Sequence, residues 1–151
     1  MLNRRIFLQK AMGTGAVALA ASCGLLVPGT ILAAWNKAAF ESKGIDAAMD
    51  AAGLKGAVAS DQIKIKAPDI AENGAVVPVT VSSSIAGVEK ITFLTEQNGT
   101  PLTAIFTLGK GAMADVSTRI KMGKTSNVIA VVTAAGKHYK AHKEVKVTIG
   151  G

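Results

Sequence analysis

The sequence predicts an all-β fold, an immunoglobulin-like β-sandwich of about seven strands preceded by a short helical N-terminal segment. Three observations predict it. Apolar and polar residues alternate over short runs, as in half-buried strands. Turn signals separate those runs about every 8 to 15 residues, a spacing that suits a sandwich of short strands. Helical spacing is confined to an Ala-rich stretch ahead of them.

That stretch, residues 35–56, carries Phe40, Ile45 and Met49 as one helical face. Gly44 splits it into two shorter pieces, and Gly53 is a plausible stop. Residues 57–149 form the expected sandwich. Ile63 and Ile65 alternate with Lys64 and Lys66; Pro68 and Asn73-Gly74 mark turns before Val77, Val79 and Val81. Pro78 cannot donate to a ladder, which places its strand at an edge or a bulge. Ile91 and Phe93 open the third strand, and Asn98-Gly99 with Pro101 turn the chain into Leu102, Ala104, Phe106 and Leu108. Val116, Thr118, Ile120 and Met122 come next. Val128 to Val132 is a continuous apolar run, as expected of a strand buried on both faces. Gly136 leads into a long last strand with Tyr139, Ala141, Val145, Val147 and Ile149 on one side. There is no internal repeat and no low-complexity tract.

Residues 1–34 read as an export leader. Arg4-Arg5 with Phe7-Leu8 match the twin-arginine pattern, and an apolar Gly/Ala-rich stretch without acidic residues runs from Ala11 to Ala34. A membrane anchor is the alternative, weakened by Gly13, Gly15, Gly24, Pro28 and Gly29, which interrupt the ~20 residues a span needs. Cleavage is expected near Ala34, and the address is the periplasm. Cys23, the only cysteine, lies inside the leader. It lacks the large aliphatic residue three positions upstream that a lipid-anchoring site needs, so plain cleavage ranks above anchoring. No disulfide framework is available. The 17 basic and 10 acidic residues give +7; without Arg4, Arg5 and Lys10, fourteen against ten leave +4 on 117 residues. That length suits one domain. The charge is mild, and Lys137, Lys140, Lys143 and Lys146 beside a single aromatic read as a solvated strand face, not a nucleic-acid stripe.

Little in the chain suggests catalysis. His138 and His142 would chelate together on a helix, but four strand residues separate their backbones by ~13 Å. Asp61, Asp69, Glu72, Glu89, Glu96, Asp115 and Glu144 form no acid/base pair by spacing. Ser82-Ser83-Ser84 lacks a nucleophile elbow, and no glycine motif cradles phosphate. Met113 and Met122 read as core or loop filler. The residues alone point to an exported interaction module without catalytic residues, cofactor site or metal site.

The C-terminal third is more specific. Val116 to Gly123 leads into Asn127-Val128-Ile129-Ala130-Val131-Val132, then Gly136-Lys137-His138-Tyr139 and Lys143 to Gly151. With Ala34-Trp35, Ala39-Phe40 and Asn73 to Val79, this closely resembles the SoxY family, the sulfur carriers of the periplasmic thiosulfate-oxidising Sox system. The resemblance spans essentially the whole chain. It implies a carrier subunit of a multi-enzyme system, not an enzyme. It also implies a heterodimer with a SoxZ-like small β subunit, and transient visits to a c-type cytochrome, a sulfate-releasing hydrolase and a sulfur dehydrogenase. An exposed apolar edge near the last strand is the expected docking surface. Neither nucleic acid nor a membrane span is expected.

In that family the last strand continues Gly-Gly-Cys-Gly-Gly, and the cysteine holds covalently bound sulfur intermediates. Gly150 and Gly151 match the first two glycines and read as the start of a flexible carrier arm, with the cysteine position just past Gly151. Three readings of this break stay open: a truncated chain, a selenocysteine codon read as a stop, or a carrier-less β-sandwich subunit that only binds partners.

Overall fold

The computed structural model describes residues 36–151. The leader, with Arg4, Arg5 and Cys23, lies outside the described residues. Among the described residues two helices come first: α1 (Lys37–Glu41) and α2 (Ile45–Ala51). Asn36 caps α1, its Oδ1 accepting from the Ala39 N–H at 3.1 Å. Gly44, at φ +89°, separates one helix from the next. The split expected at Gly44 is therefore the one observed.

Nine strands come after them: β1 (Val58–Ala59), β2 (Ile63–Lys66), β3 (Ile70–Asn73), β4 (Val77–Ser83), β5 (Val88–Thr95), β6 (Leu102–Thr107), β7 (Asp115–Ile120), β8 (Ser126–Ala134) and β9 (Lys137–Ile149). They form a sandwich. The larger sheet runs β1-β9-β8-β5-β6 with β3 also on β9, and the smaller runs β2-β4-β7. The seven expected strands are present as β2 and β4 to β9. β1 and β3 are additional, and both pair in parallel with β9. They are short and mostly exposed, so they lack the apolar alternation that reveals a strand.

Three layers result. Ile91, Phe93, Val128, Ala130 and Val132 face Val77, Val79, Val81 and Ile120 of the small sheet. The opposite side of the large sheet offers Leu94, Leu102 and Val131 to Ala39, Ala48 and Leu54 of the helical segment. This explains the apolar run in β8: successive residues bury themselves against different layers. β5 does the same, and its pairing with β6 shifts register between Phe93 and Leu94. Phe93 and Phe106 meet edge to face with centroids 5.6 Å apart.

Pro78 needs a finer statement. β4 is the middle strand of its sheet, not an edge, but β2 covers only Thr80 to Ser83. At Pro78 the strand has a neighbour on the β7 side alone, so the missing N–H costs no ladder bond.

The lysine row on β9 also departs from expectation. Lys137, Lys140 and Lys146 are exposed, but Lys143 is not a solvated strand-face residue. β1 and β3 leave a gap on β9 between Lys140 and Lys146, where the chain crosses to the small sheet as β2. Lys143 reaches into that gap: its Nζ donates to the Ala67 carbonyl at 2.7 Å and pairs with Asp69 at 3.0 Å. β8 lines one edge of β9 while β1 and β3 line parts of the other, so the exposed apolar edge expected near the last strand is not a free edge of β9 itself. Exposed apolar side chains near it are Val58, which pairs with Tyr139, together with Ile70, Val76 and Ile149.

The two Lys143 contacts differ in worth. Asp69 is 90% exposed, so its ion pair contributes little, whereas the charge-assisted bond to Ala67 is part-buried. In urea unfolding, Lys143→Met is expected to lose about 1–2 kcal/mol and Asp69→Asn less than about 0.5 kcal/mol. In the β8–β9 hairpin, Ala135 sits at φ +49° beside Gly136 at φ +71°, a two-residue turn that favours asparagine first. Ala135→Asn is expected to add about 0.5–1 kcal/mol in the same measurement.

Candidate functional site

The end of β9 meets two turns. The first, Gly74 to Val76, carries the chain from β3 in the large sheet to β4 in the small one. Asn73 shapes it by accepting from the Ala75 N–H at 2.9 Å. The second lies just past β7, at Met122 and Gly123. Gly74 joins all three segments: its N–H donates to the Ile149 carbonyl at 2.7 Å, and its carbonyl accepts from Met122 N–H at 2.7 Å. Gly151 N–H then donates to the Met122 carbonyl at 3.1 Å.

These backbones approach so closely that side chains do not fit. A Cβ on Gly74 would strike the Met122 carbonyl oxygen and lie 2.8 Å from Val147 Cγ1. One on Gly150 would strike the Gly123 carbonyl oxygen, and one on Gly151 the Ala75 backbone. Glycine at 150 and 151 therefore answers to a steric demand within the fold, besides any demand for flexibility.

Asn98 fixes the second turn. Its Nδ2 donates to the Lys121 carbonyl at 2.7 Å and its Oδ1 accepts from Gly123 N–H at 3.0 Å. Beside the glycine slot lies an open groove of about 700 Å³, lined in part by Lys43, Asn98, Thr100, Lys121, Lys124 and Gly151. No carboxylate side chain lines it. Sequence reasoning singles out Gly150 and Gly151 but misses Gly74 and Gly123 as their counterparts. Asn73-Gly74 and Met122-Gly123 are visible there only as turn and loop signals.

The other residues considered from sequence are dispersed. His138 Nδ1 shares a hydrogen bond with Thr133 Oγ1 at 3.0 Å, and His142 is exposed on the same strand. Ser83 Oγ accepts from Ile85 N–H, closing the turn after β4. Glu96 accepts from Asn127 Nδ2 at 2.9 Å. Met122 is fully buried in the sandwich core, while Met113 is 83% exposed. Among the described residues no group of three His, Cys, Asp or Glu is placed to hold a metal ion, and no helix is long and apolar enough to cross a membrane.

The layers define an immunoglobulin-like β-sandwich whose last strand ends in a glycine slot. The family model described as sulfur oxidation protein SoxY matches residues 48–151. The solved structure of the sulfur carrier protein SoxY from Chlorobium limicola f thiosulfatophilum is 47% identical, with a TM-score of 0.62 over 69% of this chain and 96% of that one. The chain belongs to the SoxY family. A far weaker likeness is to a chain in a structure of T cell specificity and activation by the bacterial superantigen toxic shock syndrome toxin-1. It is 9% identical, with a TM-score of 0.41 over 56% of this chain and 98% of that one. No curated protein matches.

The slot makes a discriminating prediction. Gly74→Ala is expected to lose about 1–3 kcal/mol by overpacking. Gly99→Ala, with nothing within 4 Å of the new methyl and no positive φ, is expected to be neutral or stabilising by up to about 1 kcal/mol. Thermal and urea unfolding of the two variants, side by side, checks the difference.

Proposed function

We propose that this chain is a periplasmic sulfur-compound carrier of thiosulfate oxidation, a protein-bound substrate for other enzymes and not itself a catalyst. Membership of the SoxY family over residues 48–151 carries the reading. The leader is the twin-arginine signal that brings it to the periplasm. A SoxZ-like small β subunit is its heterodimer partner, and the exposed Ile70, Val76 and Ile149 are its apolar contacts nearest the end of the last strand.

The carrier residue comes directly after Gly151 on a Gly-Gly-Cys-Gly-Gly-type arm and is cysteine or selenocysteine. Its thiolate or selenolate is the nucleophile. Joining it to the terminal sulfur of thiosulfate forms one bond to sulfur, releases the carrier's proton and passes two electrons to a c-type cytochrome. Water then cleaves the bond between that sulfur and the sulfonate, leaving sulfate and a sulfur atom on the carrier for a sulfur dehydrogenase. Tethering keeps the cargo at high effective concentration at each docked partner. The slot supports this chemistry by anchoring the arm's root on the fold, so that reach begins at a defined point.

Intact mass spectrometry of the natural full-length product tests the reading. After incubation with thiosulfate and the oxidised cytochrome, the protein is expected to gain one thiosulfate group, removable by a thiol reductant and blocked by prior alkylation. A full-length product that gains nothing defeats the carrier role. The codon after Gly151 separates the two nucleophiles: TGT or TGC encodes cysteine, whereas TGA before two glycine codons indicates selenocysteine.

A further inference from the structure

We propose that the groove beside the glycine slot is a docking site for the oxyanion end of the cargo, so that the scaffold shelters its own charged sulfur group between partners. The proposal rests on the carrier reading for the source of the anion, but the groove's chemistry stands on its own observations. Lys43, from the segment between the two helices, Lys121, at the end of β7, and Lys124, in the turn beyond it, converge on one concavity. None of the three is in an ion pair among the described residues, unlike Lys37, Lys55 and Lys143. Gln97 and Thr100 add neutral donors to its wall, and no side-chain carboxylate competes for the ammonium groups. The backbone N–H groups of Gly99 and Thr100 have no acceptor among the described residues.

Position strengthens the case. Gly151 itself lines the groove, so the next residue begins at its wall. The wall is also held in place. Asn98 ties the 97–100 turn to Lys121 and Gly123, and Gly151 is bonded to Met122 in the same turn. A sulfonate there meets the three lysines, the Gln97 and Thr100 side chains and the N–H groups of Gly99 and Thr100. A persulfide or thiolate left after stripping is also an anion, but it has no oxygens to accept from several donors at once. The groove therefore distinguishes a sulfonate-bearing cargo from a stripped one by its acceptor oxygens. Being open, it binds weakly and in a salt-dependent way.

The test is a titration of the natural full-length protein with sodium thiosulfate at constant ionic strength, chloride being the compensating salt, read by backbone amide NMR. Saturating shifts are expected at Gly99, Thr100, Gly123, Lys124 and Gly151. The triple variant Lys43→Gln, Lys121→Gln, Lys124→Gln is expected to bind about tenfold more weakly. A control triple, Lys64→Gln, Lys90→Gln, Lys137→Gln, removes equal charge from exposed strand positions and is expected to bind as the parent does. Equal weakening in both triples, or shifts spread over all lysines, overturns the proposal, as does the absence of saturation. Thiosulfate loading read by mass separates this from the carrier role. A chain that loads but shows no localised shifts keeps the role and loses the groove. A chain with localised shifts that never loads keeps the groove and loses the role.

Discussion

The fold hangs on one backbone crossing at Gly74. The chain leaves the large sheet and enters the small one there, and its N–H and carbonyl are bonded to the last residue of β9 and to Met122 just past β7. Two sheets packed through their apolar faces are joined at this corner by backbone hydrogen bonds. Gly74 is buried, so a lost bond here would leave an unpaired polar group away from water. The same corner dictates glycine at 150 and 151, where a Cβ would strike the Gly123 carbonyl and the Gly74–Ala75 backbone.

The opposite side of the molecule obeys a different constraint. β8 and β5 are inserted between two apolar layers, so both of their faces are buried. A short helical segment of two small helices covers what would be an open sheet face. Neither helix is long enough to be stable alone, and their order comes from packing against Leu94, Leu102 and Val131.

Much of this is legible in the sequence, wherever burial writes a period into the residues. Alternation marks β2, β4, β6, β7 and β9, the continuous run marks β8, and Phe40, Ile45 and Met49 mark the helical face. What escapes is held by backbone alone or by a single side chain. β1 and β3 pair in parallel with β9 through exposed residues that carry no pattern. Lys143 reads like its neighbours in the row, and only the gap between β1 and β3 gives it a carbonyl to grip. Pro78 declares itself incompatible with a complete ladder, but the shortness of β2 supplies the relief, and strand length is poorly written in sequence.

The site shows the same division in sharper form. Gly150 and Gly151 are legible as a pair, and flexibility is the reason that the sequence suggests for them. A glycine chosen for freedom and one chosen for close approach look identical in a sequence, since both show only the absence of a side chain. The slot adds the second reason. Gly151, bonded to the Met122 carbonyl, is itself held at a fixed place on the fold. That place is the wall of the lysine groove, and Gly123 belongs both to the slot and to the groove. Pinning Gly151 and shaping the lysine groove are thus two effects of one turn, and a shift in the 121–124 backbone would alter both together.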